Sequence, residues 1–495
     1  MYIGLDIGTS GTKASLIQPD GTVLRNAQIS YGFCNTRDGC RELDPREVWK
    51  VVMECLKKAG RDMPVKTITV SALGEAMIPV NLQGDPLDVS ITGTDKRGSA
   101  ELAHLAELAG RKRLTEITGL NLSTIYSANK LVWIRENQPE LFRKTWKFMS
   151  FQDYVIYRLC GAAVMDYSMA SRTMLFDLDI LNWSKELTEI AGIKKELLSR
   201  PVPPGTVAGT IRREFAESLG LPEDVKIVTG THDHICNALG CGAAEKGSCA
   251  DTVGTTEGLT AVLTRDQLST DNIEKYQISC EPFAARGLYN TVAWNNTSGV
   301  LLKWFVTEFA REEKRGGLSE AFARMNVQMR PEPTKLLVLP HFSGAATPYM
   351  DSESKGAVLG LTLDTRREDL YKALMEGANL ELAMILEGLK KAGLKVNKVV
   401  ATGGALSPEL LQIKADVLDL EIQTVKEKQT GTLGGAILGA VAAGDFPGIR
   451  EAADQMVKRG PSYEPDSVRS RIYKEKLELY REVYPSVAKI SRRII

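Results

Sequence analysis

Four histidines in 495 residues are too few for a histidine-rich metal centre, so a His-x-His chelate would need carboxylates to complete it. The eight cysteines, Cys34, Cys40, Cys55, Cys160, Cys236, Cys241, Cys249 and Cys280, lack the paired short spacings of a zinc site. We expect reduced, mostly buried thiols in a cytoplasmic protein rather than a structural metal on Cys236, Cys241 and Cys249. Net charge is also missing: 62 Lys plus Arg balance 62 Asp plus Glu, so no global basic field draws nucleic acid or a membrane surface. No apolar run reaches the length of a membrane span. A core strand opening at residue 2 leaves no space for a signal peptide. Low-complexity segments and long disordered linkers are absent as well. What remains is the composition of a soluble globular protein, longer than one core usually serves. We expect two large domains, residues 1–244 and 245–495.

The chain opens Tyr2-Ile3-Gly4-Leu5-Asp6-Ile7-Gly8-Thr9-Ser10-Gly11-Thr12-Lys13-Ala14-Ser15-Leu16-Ile17, two apolar strands about a Gly/Thr/Ser turn. Gly8 and Gly11 permit turn conformations and let backbone N–H groups approach an anion. Thr9, Ser10 and Thr12 add hydroxyls, Lys13 adds positive charge, and Asp6 is placed to hold a hydrated Mg²⁺. It is not a Walker A loop, because Lys13 runs on into a strand rather than opening a helix. Alone, the pattern fits an ordinary polar hairpin equally well. It recurs half a chain later at residues 248–263, where Gly254-Thr255-Thr256-Glu257-Gly258 joins two strands. Two related domains offering matching bends across a cleft are suited to gripping a nucleoside triphosphate.

Between the hairpins, a helix is expected over 45–60 with Asp44 as cap and Pro45 in its first turn, and a strand over Val65–Ser71. Glu75 falls just past that strand, where ligand crevices form in α/β sheets, though a solvated loop acid would look the same. Asp95 and Arg97 precede a helix expected from Ser99 to Arg113 and read either as ligand contacts or as capping charges. Residues 127–137 read as an amphipathic helix. Asp153 begins another, where the helix dipole alone would account for an acid. A strand over Val225–Thr229 empties into Gly230-Thr231-His232-Asp233-His234 and a helix over Ile235–Ala244. A carboxylate at that junction suits the base that takes a hydroxyl proton in phosphoryl transfer. We read Asp233 as that base in preference to a metal chelate on His232 and His234, which flank it at strand spacing. Gly240, Gly242 and Gly247 are read as a hinge.

The second half repeats the plan. A strand over Thr291–Asn296 leads into a helix carrying Lys303 and Trp304. A strand over Val396–Thr402 ends in Gly403-Gly404-Ala405, which would let a flat ring pass close to the backbone, and Ser407-Pro408 opens the next helix. Thr430–Ala443 is a small-residue helix suited to close packing, and Ser467–Ile490 a docked surface helix.

At Gly356-Ala357-Val358-Leu359-Gly360-Leu361, followed after seven residues by Asp369-Leu370-Tyr371-Lys372-Ala373-Leu374-Met375-Glu376, the chain resembles the FGGY carbohydrate kinases of the actin-like ATPase superfamily. Ser127–Asn137 is similar to the family's first signature, with Ile125 off pattern. The resemblance implies an α/β fold of two actin-like (ribonuclease H-like) domains, mixed sheets flanked by helices, about a cleft. It implies ATP and Mg²⁺ as cofactors, with Asp6, Thr9, Thr12 and Lys13 at the metal and phosphates. It further implies Gly254 and Thr255 near the γ-phosphate, and Gly299, Lys303, Gly403, Gly404 and Ala405 on the nucleotide side. Asp233 becomes the catalytic base, and Glu75, Asp95 and Arg97 fall where relatives contact the sugar or polyol, of ketopentose, deoxyketose or tetritol type. Three departures bear on specificity. Xylulose kinases commonly show Gln-Met-His-Gly where this chain has Leu73-Gly74-Glu75-Ala76. The frequent Gly-Glu-Arg-x-Pro appears as Gly344-Ala345-Ala346-Thr347-Pro348, and the usual Gly-Gly-Asp as Thr231-His232-Asp233. The rival expectation is an actin-like ATPase acting as chaperone or assembly protein without a sugar. A sugar-responsive regulator ranks last. The sequence is silent on oligomeric state, and a homodimer is compatible with it.

Overall fold

The structure is a computed structural model and describes residues 1–34, 39–311 and 313–494, apart from the side chains of residues 314 and 315. Two sheets organise it. The first has six strands in the order Val207–Thr210, Lys226–His232, Thr67–Ala72, Tyr2–Ile7, Gly11–Ile17, Val23–Ser30. The second has seven, in the order Glu281–Pro282, Tyr289–Asn295, Glu257–Leu263, Ser248–Val253, Lys398–Thr402, Ile422–Val425, Arg459–Tyr463. In each, an antiparallel meander lies beside two further strands parallel to its first, and an antiparallel strand closes that side. The repeat seen at the two Gly/Thr bends is therefore a repeat of topology.

Strand Tyr2–Ile7 is apolar on both faces because helices cover both. Pro45–Gly60 packs on one side, with Asp44 capping through the Arg46 N–H. The other side is covered by Thr430–Ala443, which comes from the far half of the chain. Its small residues permit unusually close backbone approach. A Cβ on Gly4 would lie 1.9 Å from the Thr432 carbonyl, and one on Gly434 1.8 Å from the Cys236 carbonyl.

Several expected bounds shift. The strand expected over Val225–Thr229 runs from Lys226 to His232, and the helix after it spans Asp233–Gly240 rather than Ile235–Ala244. Asp233 is thus the first helical residue, and His232 and His234 are not at strand spacing. Gly240 is a packing site rather than a hinge, since a Cβ there would lie 1.9 Å from the Thr430 carbonyl. The helix expected from Ser99 to Arg113 breaks at Gly110, whose φ of 80° ends one helix and starts another. Ser127–Asn137 is buried almost all round, not amphipathic. Asp153 is fully buried, its oxygens accepting from Ser150 and Ser199 at 2.5 Å each. Among the described residues no helix is long and apolar enough to cross a membrane.

Candidate active site

Two adjoining cavities meet at Gly254 and Gly404. One, of about 320 Å³, is lined by Asp6 and Lys13 from the first hairpin, Asp233 from its helix, Gly254 from the second bend, and Gly403 and Gly404. The other, of about 430 Å³, shares Gly254 and Gly404 and adds Thr255, Gly299, Lys303 and Ala405. Residues spread over four hundred positions thus meet in one trough.

Glycine is required where backbones nearly touch. Gly403 has φ of 122°, and a Cβ there would lie 2.1 Å from the Val253 carbonyl; one on Gly299 would lie 2.5 Å from the Gly254 carbonyl. Nothing lies within 4 Å of the Cβ position of Gly404, which faces open space. The larger cavity also takes Tyr371 and Met375 from helix Arg367–Lys391, together with Asn326. The Tyr371 hydroxyl donates to Asn326 Oδ1 at 3.1 Å, and Asn326 Nδ2 donates to Glu409 at 2.9 Å. Sequence reading placed Tyr371 and Met375 within a signature but missed their position in this wall.

Asp6 is half-buried at the cavity wall, and its buried Oδ1 has no hydrogen-bond partner. Burial, with the Asp233 charge nearby, pushes its carboxyl up to about 7. An orphaned carboxylate beside a phosphate-sized space fits a divalent cation. Among the described residues no three His, Cys, Asp or Glu cluster to hold a metal. A cation on Asp6 would therefore keep most of its ligands as water and phosphate oxygens, the habit of Mg²⁺.

Asp233 is held at one oxygen. The His234 backbone N–H donates to its Oδ1 at 2.7 Å, and His232 Nε2 stands 3.2 Å from that same atom. Oδ2 has no protein partner among the described residues. Burial holds the His232 imidazole well below its usual pKa, with Arg172 adding to the effect, so the ring is neutral at pH 7 and Nε2–H is the donor that suits a carboxylate. Two turns of polar contact tie the floor together: Asn237, on the helix that Asp233 opens, donates to Thr252 of the second hairpin and accepts from Thr430. Below the second bend, the buried Lys414 ammonium pairs with Asp251 at 2.8 Å and with Glu257.

Five expected residues, Thr9, Thr12, Glu75, Asp95 and Arg97, are not among those that line the two cavities. Thr12 is fully buried with its hydroxyl 3.3 Å from that of Tyr31, so it faces the sheet interior and not an anion. Thr9 is exposed at the hairpin tip. Asp95 and Arg97 satisfy each other at 2.8 Å, with the Arg41 N–H and Glu42 as further partners. Neither caps the next helix, whose N-cap is Gly98. Glu75 sits in the left-handed region with φ of 65°, within reach of the Asp233 charge. The reading missed its partner: Arg172 donates from Nε to Glu75 Oε1 at 2.5 Å.

Residues 1–240 match the N-terminal domain, and residues 250–443 the C-terminal domain, of the FGGY family of carbohydrate kinases. The gluconokinase of Bacillus subtilis is 26% identical over 99% of this chain and 95% of its own length. The xylulose kinase of the same organism is 25% identical over 97% and 96%. Among solved structures, a ligand-bound xylulose kinase from Lactobacillus acidophilus superposes with a TM-score of 0.89 at 26% identity, covering 98% of each chain. A gluconate kinase from the same organism gives 0.88 at 26% identity over 98% of each.

Proposed function

The chain belongs to the FGGY family of carbohydrate kinases, and on that premise we propose that it transfers the γ-phosphoryl group of ATP to a hydroxyl of a small sugar or polyol with Asp233 as base. The observation that carries the reading is Asp233 itself. Its carboxylate opens a helix at the trough shared by both glycine bends, with Oδ1 held and Oδ2 left without a protein partner.

Each part of the chain then has a task. Asp233 Oδ2 accepts the acceptor hydroxyl proton as the oxygen attacks phosphorus. Asp6 would hold Mg²⁺, which supplies charge neutralisation for the phosphates when bound. Lys13, at the first hairpin, adds a cation to the same cavity. Gly254 and Thr255 border the phosphates, while Gly299, Lys303, Gly403, Gly404 and Ala405 form the nucleotide cavity with Tyr371 and Met375. Apposed halves exclude water, so that the hydroxyl and not water receives the phosphoryl group. Residues 1–244 and 245–495 serve as the two catalytic halves. Glu75 lies on the acceptor side. Asp95 and Arg97 are closed on each other.

The test is coupled ADP release across ketoses and alditols, with the product identified as a phosphate monoester by ³¹P NMR. ATP consumption that rises only with one of these acceptors is expected. Hydrolysis unaffected by every acceptor would overturn the reading.

A further inference from the structure

The two groups of relatives act, by their names, on chemically different acceptors: xylulose is neutral and gluconate is an anion. A cluster next to Asp233 distinguishes them for this chain. Arg172, at the end of the short helix Tyr167–Ser171, is buried. Its Nε and a second guanidinium nitrogen reach Glu75, and its remaining terminal nitrogen lies 3.1 Å from Glu281 Oε1. Glu75 belongs to the first half of the chain, whereas Glu281 lies on the edge strand of the second sheet. The guanidinium also stacks 5.2 Å over the Tyr126 ring. One cation therefore joins two carboxylates from opposite halves.

This cluster adjoins the reacting position. A Cβ on Gly74 would lie 3.1 Å from the His232 ring and 3.3 Å from Arg172 Nε, and the same ring stands 3.2 Å from the Asp233 carboxylate. Burial raises the cost of ionising Glu75, and the Glu281 and Asp233 charges add to it. Glu281 is fully buried, accepts from Ser279 at 2.7 Å, and has a second oxygen with no partner.

Other cations nearby are engaged. The Lys130 ammonium turns to the carbonyls of Thr124, Ile125 and Tyr126, and Arg97 is held by Asp95 and Glu42. His232 is neutral. The acceptor side therefore carries three carboxylates, Glu75, Glu281 and Asp233, against one guanidinium already shared by two of them. A carboxylate entering beside Glu75 would meet like charge, and among the described residues there Arg172, Lys130 and Arg97 are already engaged, Lys13 standing in the phosphate-side cavity; hydroxyl groups would find acceptors.

Resting on the kinase reading above, we propose that Arg172, neutralised by Glu75 and Glu281, is a specificity-determining residue, and that this chain phosphorylates a neutral ketose or alditol and rejects aldonates. Its guanidinium acts by fixing Glu75 across the two halves rather than by binding a substrate anion. Glu281 is the residue that withholds Arg172 from anions.

The experiment compares neutral acceptors with aldonates of equal carbon number, by coupled ADP release, in the wild type and in Glu281→Gln. For the wild type, kcat/KM for the best neutral acceptor should exceed that for the matched aldonate by roughly 100-fold or more. Aldonates should not inhibit turnover of the neutral acceptor competitively. Glu281→Gln should raise KM for the neutral acceptor more than it lowers kcat, and narrow the neutral-to-aldonate ratio at least about tenfold. ADP binding to the variant, measured by calorimetry, should match the wild type and so report an intact nucleotide site. A wild type that prefers an aldonate, or a ratio unmoved in a variant that still binds ADP, overturns the proposal and leaves the kinase reading standing. Should the variant fail to bind ADP, the wild-type ratio and the inhibition measurement decide alone. If no acceptor of either class stimulates ATP consumption, the kinase reading fails and this proposal with it.

Discussion

At the scale of single residues, buried acids set measurable behaviour away from the reacting centre. Burial pushes the Asp153 carboxyl up to about 7, against the pull of the Ser150 and Ser199 hydroxyls. In the unfolded chain an aspartate releases its proton near ~4. The native state therefore binds more protons between those values, and stability falls as pH rises through that window. Asp153→Asn keeps the hydrogen-bonding shape and removes the charge. Its unfolding free energy should lose the wild type's decline between about pH 4 and 7 and lie above the wild type's at pH 8, by on the order of 4 kcal/mol at most. Denaturant titrations at several pH values would show this, and parallel curves for the two proteins would refute it. The same scale shows what the sequence yields and what it withholds. Asp6, Lys13, Gly254, Gly403 and Asp233 were legible because each sits in a short pattern whose chemistry is local. Arg172 was not, because its partners lie 97 and 109 positions away and its own neighbours carry no signal. Thr12 misled for the converse reason: alternation along a strand decides which way a hydroxyl points, and here it points to Tyr31.

At the scale of elements, the helix Thr430–Ala443 couples the halves. Its run of small residues announced it in the sequence with the bounds it has. Its placement on the far sheet was not legible, since small residues predict close packing without naming the partner. Boundaries failed where tertiary contact extends an element, as when Lys226–His232 continues past Gly230 against Thr67–Ala72. A methyl at Gly434 would meet the Cys236 carbonyl at 1.8 Å, a backbone atom on a packed helix that has nowhere to move. Gly434→Ala should therefore lower unfolding stability by roughly 3 kcal/mol or more. Gly32→Ala, which meets nothing within 4 Å, should change it by less than about 0.5 kcal/mol. Equal effects in chemical denaturation would contradict this account of the helix contact.

At the scale of the whole molecule, the fold is a duplicated sheet whose second half supplies a cover for the first. Leu433, Ala436, Ile437 and Ala440 of that helix are buried, and it lies over strands Tyr2–Ile7 and Thr67–Ala72. Residues 1–244 expressed alone would expose this apolar sheet face, so they should aggregate or bind hydrophobic dye. Co-expression with residues 245–495 should restore a folded complex. A stable, monomeric 1–244 fragment would contradict this. The duplicated topology was inferable from two matching bends, while the packing of Thr430–Ala443 on the first sheet was not, since it depends on contacts between distant parts of the chain. The central claim is that these halves present an ATP-derived phosphoryl group to a hydroxyl deprotonated by Asp233. It is tested most directly by steady-state kinetics of Asp233→Asn with the best acceptor, alongside calorimetric ATP binding. The account predicts kcat lower by roughly 10²–10⁴-fold with nucleotide affinity retained; turnover near the wild-type rate would contradict it.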